Sequence, residues 1–481
     1  MDTNQQTTQT EGLRHGAVGM WDLVFFVVAA AAPLSVMSGV SPLAIGFGGV
    51  QAPGGYLTGG IVMAVFAVGF TTMSRYVPNA GAFYAYIGQG LGRTVGVGAA
   101  FVALVSYVSI AISFIPALGV FAHDTFDSLF GIDLPWGVWA VIGGVLVAAL
   151  GYLNVTLSAK VLGLLLGLEV LILLVFAVPV LLQGGEEGLS FDSFNLVDMF
   201  GPGVGALFVL SFGAFLGFES TAIYSEEARD RRRTVARATY VAVGFLAVFY
   251  TIVVWAVIMA YGPNDAVAEA NADPTNMVFT ATEEWVGAPA ADMMRILIVT
   301  STLAAALAFH NASSRYIHAL AREGVLPRVG ATTNAKTGSP SLASLFVSAL
   351  ALVVILVFAA FGADPYLNTF LWLNGIGIPG IIALQVLCSA AIVAFFARDS
   401  RGVHVVKRLI APLVATIALA VALTLIAKNL DLLTGAETAV NVALMSITPA
   451  AFVIGVLVAL RIRRTDPEAY GGLTTTEVES T

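Results

Sequence analysis

Glu169 stands in Leu164-Leu-Leu-Gly-Leu-Glu169-Val-Leu-Ile, with apolar residues for two turns on either side. Glu219 stands in Gly213-Ala-Phe215-Leu-Gly217-Phe218-Glu219-Ser220, where glycine and a carboxylate share the middle of another apolar run. A charge at the centre of a bilayer is costly, so such a group faces a cavity, finds a partner or holds a proton. A carboxyl that can exchange a proton there is a candidate for coupling or gating. A protonated Glu169 bonded to a neighbouring carbonyl would instead serve structure alone. His310 and Asn311, beside Ser313 and Ser314, form a weaker candidate, because a lone histidine in such a run usually ties two helices together. Tyr107, with Ser106 and Ser109, could offer a hydroxyl. Asn374-Gly375-Ile-Gly377-Ile-Pro379-Gly380 is an irregular stretch suited to a hinge or thin gate.

Catalytic templates fail. The five histidines include no pair at metal-ligand spacing. Neither a Gly-x-Ser-x-Gly elbow nor a Gly-x-x-x-x-Gly-Lys phosphate loop occurs. The single cysteine, Cys388, excludes an intramolecular disulfide and a cysteine-based metal site. No catalytic residue, metal or cofactor is expected, and an enzyme is not expected.

The elements that carry these residues are set by composition. The chain is 58% hydrophobic and 11% charged, with a mean hydropathy of +0.89. Soluble domains run near half apolar and a quarter charged, so this is a polytopic membrane protein. Backbone groups in lipid need internal partners and no barrel-like alternation is present, so the spans are helices. Twelve are predicted, near 18–48, 55–76, 95–122, 136–154, 158–182, 204–226, 237–262, 291–318, 341–361, 366–397, 407–428 and 440–463. Residues 1–15 and 465–481, rich in Thr, Gln and Glu, read as disordered cytoplasmic tails. Residues 1–15 lack a basic start and an apolar stretch, so no signal peptide is expected.

Charge sidedness supports that count. With the N-terminus inside, all of the 22 Lys and Arg except Arg295 and Lys428 fall in cytoplasmic segments. Both termini are therefore expected in the cytoplasm, with the protein multi-pass in the plasma membrane. No basic cluster lies outside short loops, which excludes nucleic acid as a partner.

Two spans look broken. The first reads Ala29-Ala-Ala-Ala-Pro33-Leu-Ser35-Val-Met-Ser38-Gly39-Val-Ser41-Pro42, and its two prolines each remove a backbone donor. The sixth carries the Gly213–Ser220 stretch. They are five helices apart in the order of spans, so they run in opposite directions. That is the layout of an inverted repeat, spans 1–5 (18–182) against 6–10 (204–397), with 407–463 as accessory helices in one transporter domain, 18–463.

The connecting segments resemble a known family. Pro78-Asn-Ala-Gly81-Ala-Phe-Tyr84-Ala-Tyr86-Ile-Gly-Gln-Gly90-Leu-Gly92-Arg93 is similar to the loop after the second helix of amino acid–polyamine–organocation permeases. Gly217-Phe-Glu219-Ser220 with Glu226-Glu227-Ala-Arg-Asp-Arg-Arg-Arg233-Thr-Val-Ala-Arg237 resembles their sixth-helix signature. Ser314-Arg315 through Ala319-Leu-Ala-Arg322-Glu-Gly324-Val-Leu326-Pro327, then Gly338-Ser-Pro340, resembles their eighth-to-ninth connection. The resemblance implies an all-α, LeuT-type five-plus-five inverted repeat with two extra helices. It also implies transport of an amino acid or related amine.

Substrate binding by Ala32, Pro33, Leu34, Ser35, Phe215, Leu216, Gly217 and Phe218 follows from the same resemblance, with Tyr107 added from its hydroxyl. Amides at a half-helix N-terminus suit a carboxylate, and free carbonyls suit an ammonium. Glu169 would stand where some proton-coupled members carry a lysine in place of a sodium ion. A carboxylate there would relay protons or help to hold a cation. The expected activity is amino acid transport by alternating access with a coupling proton. An exchanger or amine/polyamine permease is the alternative, and a non-transporting sensor or channel the remote one.

Overall fold

The computed structural model describes residues 19–77, 83–153, 159–219, 231–334 and 338–474. Every regular element among them is helical. The first apolar run is divided. Helix α1 (Met20–Ala30) ends at Ala31, and the chain resumes as a π-helical turn, Ser35–Val40, leading into α2 (Ser41–Gly48). Pro33 cannot donate to a carbonyl of the preceding turn. Ala32 takes a left-handed φ of 45°, which redirects the backbone before the Val36 N–H bonds the Ala32 carbonyl at 3.0 Å and restarts the ladder.

Helices α3 (Ala52–Met73), α4 (Phe83–Leu91), α5 (Arg93–Phe130), α6 (Trp136–Tyr152) and α7 (Ala159–Gln183) follow. The next apolar run is interrupted as well. Helix α8 spans only Val204–Gly213, and turns carry the chain to Glu219, with Gly217 at φ 103°. Ser220, Glu226, Glu227, Arg229 and the rest of 220–230 lie outside the described residues, as do Pro78–Ala82. The longer helices that complete the chain are α9 (Arg231–Tyr261), α10 (Ala288–Arg322), α11 (Ser341–Ala360), α12 (Leu371–Arg398), α13 (Ala411–Lys428) and α14 (Thr438–Thr465).

Nine helical segments among the described residues are long and apolar enough to cross a membrane. One of them, Ser35–Met73, runs through α2 and α3. Helices α6, with 17 residues, and α8, with 10, are apolar but shorter. Apolar side chains cover much of the outside: Val353 and Leu356 on α11, and Val453 and Leu457 on α14, are each more than half exposed. Lipid accepts such a surface and water does not.

Two groups of helices enclose the broken segments. Helices α1 and α2 pack with α3, α8 and α9, whereas α5 packs with α6, α10, α12 and α14. Close approach in the first group relies on Gly60, where a Cβ would fall 2.3 Å from that of Ala247 on α9. Part of the stretch expected to form a tail from 465 is helical, and 475–481 lie outside the described residues. A short helix, α15 (Pro467–Gly472), returns along the bundle, and Leu473 and Thr474 are buried because Arg93 Nε and Gln89 Nε2 donate to their carbonyls at 3.2 Å each.

Candidate functional site

The two interruptions touch. A Cβ on Gly217 would sit 3.1 Å from that of Ala30, so the absent side chain is what lets the second break lie against the first. Beside them is a small hollow of about 40 Å³, partly open to its surroundings. Ala30, Ala31, Val36 and Val40 line it from the first run, and Leu210, Gly213, Ala214 and Leu216 from the sixth. Ile110 and Phe114 on α5, Phe309 on α10, and Phe370, Asn374 and Ile378 at and within the start of α12 close it. The spacings are helical: 110 and 114 are four apart, as are 370, 374 and 378, so each helix presents one stripe.

Two buried carboxylates flank the breaks, and each is held by backbone N–H as well as by a hydroxyl. A helix that restarts after proline begins with N–H groups lacking intrahelical partners. Here those belong to Leu34 and Ser35. The Leu34 N–H donates to Glu169 Oε2 at 3.2 Å, and Ser301 Oγ donates to the same oxygen at 3.0 Å. The Ser35 N–H reaches Ser301 Oγ at 3.4 Å. Ser35 Oγ lies 2.9 Å from Thr302 Oγ1. The Thr302 hydroxyl already donates to the Ile298 carbonyl, so Ser35 is the donor in that pair. Glu169 thus occupies the positive end of the half-helix that the sequence assigned to an anion.

At the second break, Glu219 Oε2 accepts from the Gly217 N–H at 3.0 Å and Glu219 Oε1 from the Tyr107 hydroxyl at 2.7 Å. Tyr107 lies below the hollow stripe of α5, its ring 6.3 Å from Phe309 and 5.6 Å from Tyr316.

The predicted residues divide accordingly. Leu216 and Asn374 line the hollow. Asn374 Nδ2 donates to Ser113 Oγ at 3.1 Å and to the Phe370 carbonyl at 2.8 Å. Ala32, Pro33, Leu34 and Ser35 form the break, but the lining falls on Ala30, Ala31 and Val36 around them. Phe215 and Phe218 turn away: Phe215 meets Tyr250 on α9 at 6.0 Å, and Phe218 meets Phe66 on α3 at 5.8 Å. Gly217 is the contact between the breaks. His310 stands apart, its Nε2 2.9 Å from Ser344 Oγ on α11 and its ring against Gly151 of α6. It joins helices, and it does not reach the hollow.

Ser301 and Thr302 were missed, although both lie on the helix of His310. Nine residues separate 301 from 310, which at 100° per residue puts them on opposite faces. Among the described residues no group of three or more His, Cys, Asp or Glu stands together to hold a metal ion.

Comparison with known proteins adds an independent line. The family model described as amino acid permease matches residues 22–469. The L-lysine transport protein of Corynebacterium glutamicum is 28% identical over 349 residues, 67% of this chain and 66% of that protein. Amino-acid permease RocE of Bacillus subtilis is 24% identical over 63% of this chain and 64% of its own length. The lysine-specific permease LysP of Lactococcus lactis is 30% identical over 37% of this chain and 34% of its own. The alignments thus span from about a third to two thirds of these relatives.

Proposed function

The chain belongs to the amino acid permease family, and from that premise we propose that it is a secondary active transporter carrying an amino acid by alternating access, coupled to a proton. The reading includes twelve spans in a LeuT-type inverted repeat, 18–182 against 204–397, with 407–463 as accessory helices. Both termini face the cytoplasm, across the plasma membrane. Two breaks at matching depths, after helices of 11 and 10 residues, support the repeat. Their contact beside one hollow supports recognition of a small zwitterion by main-chain polar groups.

One observation carries the coupling: Glu169 holds the Leu34 amide at 3.2 Å. An ionised Glu169 and a substrate carboxylate are rivals for the same donor and repel each other. A proton on Glu169 removes the repulsion and leaves the Leu34 N–H to the substrate. Substrate and proton then bind together, and the neutral carboxyl also lowers the cost of closing apolar helices around it. Release of the proton on the other side returns Glu169 to the amide and expels the substrate. Ala30, Ala31 and Leu216 position the substrate without charge, and Glu219 with Tyr107 fixes the second break.

The test is uptake by the purified protein in liposomes under an imposed pH gradient. Wild type accumulates substrate only with the gradient, and Glu169→Gln exchanges substrate without accumulating it. Equal accumulation with and without the gradient, in both proteins, rejects the coupling. An absence of uptake for every amino acid rejects transport itself.

A further inference from the structure

We propose that the cargo is an amino acid with an uncharged, apolar side chain, and that cationic side chains and diamines are rejected. The inference rests on the transport reading and names the substrate class of that site. Among the described residues the wall of the hollow carries no ionisable side chain, and Asn374 is the one polar side chain among them. Asn374 already directs its amide donors to Ser113 and Phe370. The two buried acids nearby are engaged elsewhere, Glu169 with Leu34 and Ser301, and Glu219 with Tyr107 and Gly217. A lysine ammonium brought into this space would lose its water and gain no carboxylate, and an unpaired buried charge is strongly disfavoured.

Aromatic rings do not replace the missing acid. An ammonium can rest on an open ring face, but Phe114 and Phe309 stack on each other at 5.6 Å with a 17° interplanar angle, and Phe370 stacks on Tyr366 at 5.3 Å and 7°, so one face of each lining ring is already taken. An aliphatic or aromatic side chain needs only apolar contact, which every other lining residue supplies. The lysine named for two relatives is therefore a property of those proteins, and the wall of this hollow selects differently.

Size is set at one position. Gly213 and Ile378 both line the hollow, and a Cβ on Gly213 would come 2.5 Å from Ile378 Cδ1. The Ile378 side chain must then swing into the space that a large cargo needs. Gly213→Ala should weaken leucine and phenylalanine about tenfold relative to alanine and glycine, since one methyl group in such a pocket discriminates by that order. Gly213→Ala combined with Ile378→Val removes a methyl at the point of collision and should restore the larger cargoes.

The experiment is a thermal-shift screen of the purified full-length protein with glycine, alanine, leucine, phenylalanine, lysine, ornithine and putrescine, paired with competition against radiolabelled uptake. Leucine and phenylalanine should bind at least about a hundredfold more tightly than lysine, the ratio expected for an unpaired buried ammonium. Lysine or putrescine binding as tightly as leucine overturns the inference and leaves the transport reading standing. Failure of every amino acid to bind or be taken up overturns the transport reading and this inference with it. A Gly213→Ala protein that keeps the wild-type leucine-to-alanine ratio overturns the size assignment.

Discussion

Replacing Tyr107 with Phe isolates one bond at the second break. The ring contacts to Phe309 and Tyr316 persist, and only the hydroxyl that donates to Glu219 Oε1 at 2.7 Å is lost. Glu219 is 2% exposed and Tyr107 6%, so water does not readily take the vacated place. The carboxyl keeps the Gly217 N–H at 3.0 Å and the backbone N–H of its own residue. A hydrogen bond to a charged group is worth about 1.5–3 kcal/mol, and one between neutral groups about 0.5–1.5 kcal/mol. An ionised Glu219 therefore predicts a loss of roughly ten- to a hundredfold in apparent substrate affinity, if the bond holds the break in its binding form. A protonated Glu219 predicts no more than about tenfold. The assay is a double-mutant cycle, Tyr107→Phe against Glu219→Gln, read as the half-saturating substrate concentration for uptake and as thermal stability. Pairs in contact show coupling above about 0.5 kcal/mol. Effects that simply add, in both readouts, would refute the role given to this bond.

Three further outcomes are expected. Gly217→Ala places a side chain at φ 103° and 3.1 Å from Ala30 Cβ, and should cost about 1–3 kcal/mol along with most uptake; Ala32→Gly has the opposite sign, relieving roughly 1 kcal/mol at φ 45° and raising the melting temperature. Burial pushes the Glu323 carboxyl above its usual value, against the lowering effects of the Tyr84 hydroxyl, the Thr474 backbone and Arg322. A raised value means that its stabilising share is complete below the ordinary carboxylate range and is lost as pH rises through the raised value. The returning segment Pro467–Thr474, tied to Tyr84 through the Thr474 N–H at 3.1 Å, should thus dock more firmly in mild acid. Hydrogen exchange over 467–474, corrected for intrinsic rates, should slow from pH 8 to pH 5 in wild type and show no such trend in Glu323→Gln.

Hydropathy made the helices legible, and proline made the first break legible, because an amide without hydrogen has an unavoidable consequence wherever it falls. Polar residues inside apolar helices were harder. Ser301 and Thr302 hold Glu169 and Ser35, yet nothing in the sequence separates them from Thr239, Thr251 or Thr282. Those threonines also return a hydroxyl to the carbonyl four residues earlier. Thr302 makes that same bond and serves Ser35 as well. His310 drew notice because it is rare in such a run, but rarity says nothing about which face of a helix a residue occupies. The apolar lining was the least legible part. Phe114 and Phe309 meet the hollow, and Phe66 and Phe215 are buried elsewhere, although all four occur in similar local sequence.

The Leu34 amide connects these levels. Pro33 frees the donor by stopping one helix, and the run of alanines before it lets the break pack against Gly217 without side chains in the way. The fold then brings α7 and α10 alongside, so that a carboxylate and a hydroxyl reach the start of the resumed helix. A donor with two claimants couples them. Whatever factor a proton on Glu169 adds to substrate affinity, the substrate must add to the affinity of Glu169 for the proton, because both describe one free-energy difference. Coupling therefore needs no contact between proton and cargo. Under the proposed coupling, the selectivity for cargo can reside in a different set of residues, the uncharged wall around Phe309 and Ile378, and can change without disturbing the amide proposed to drive accumulation.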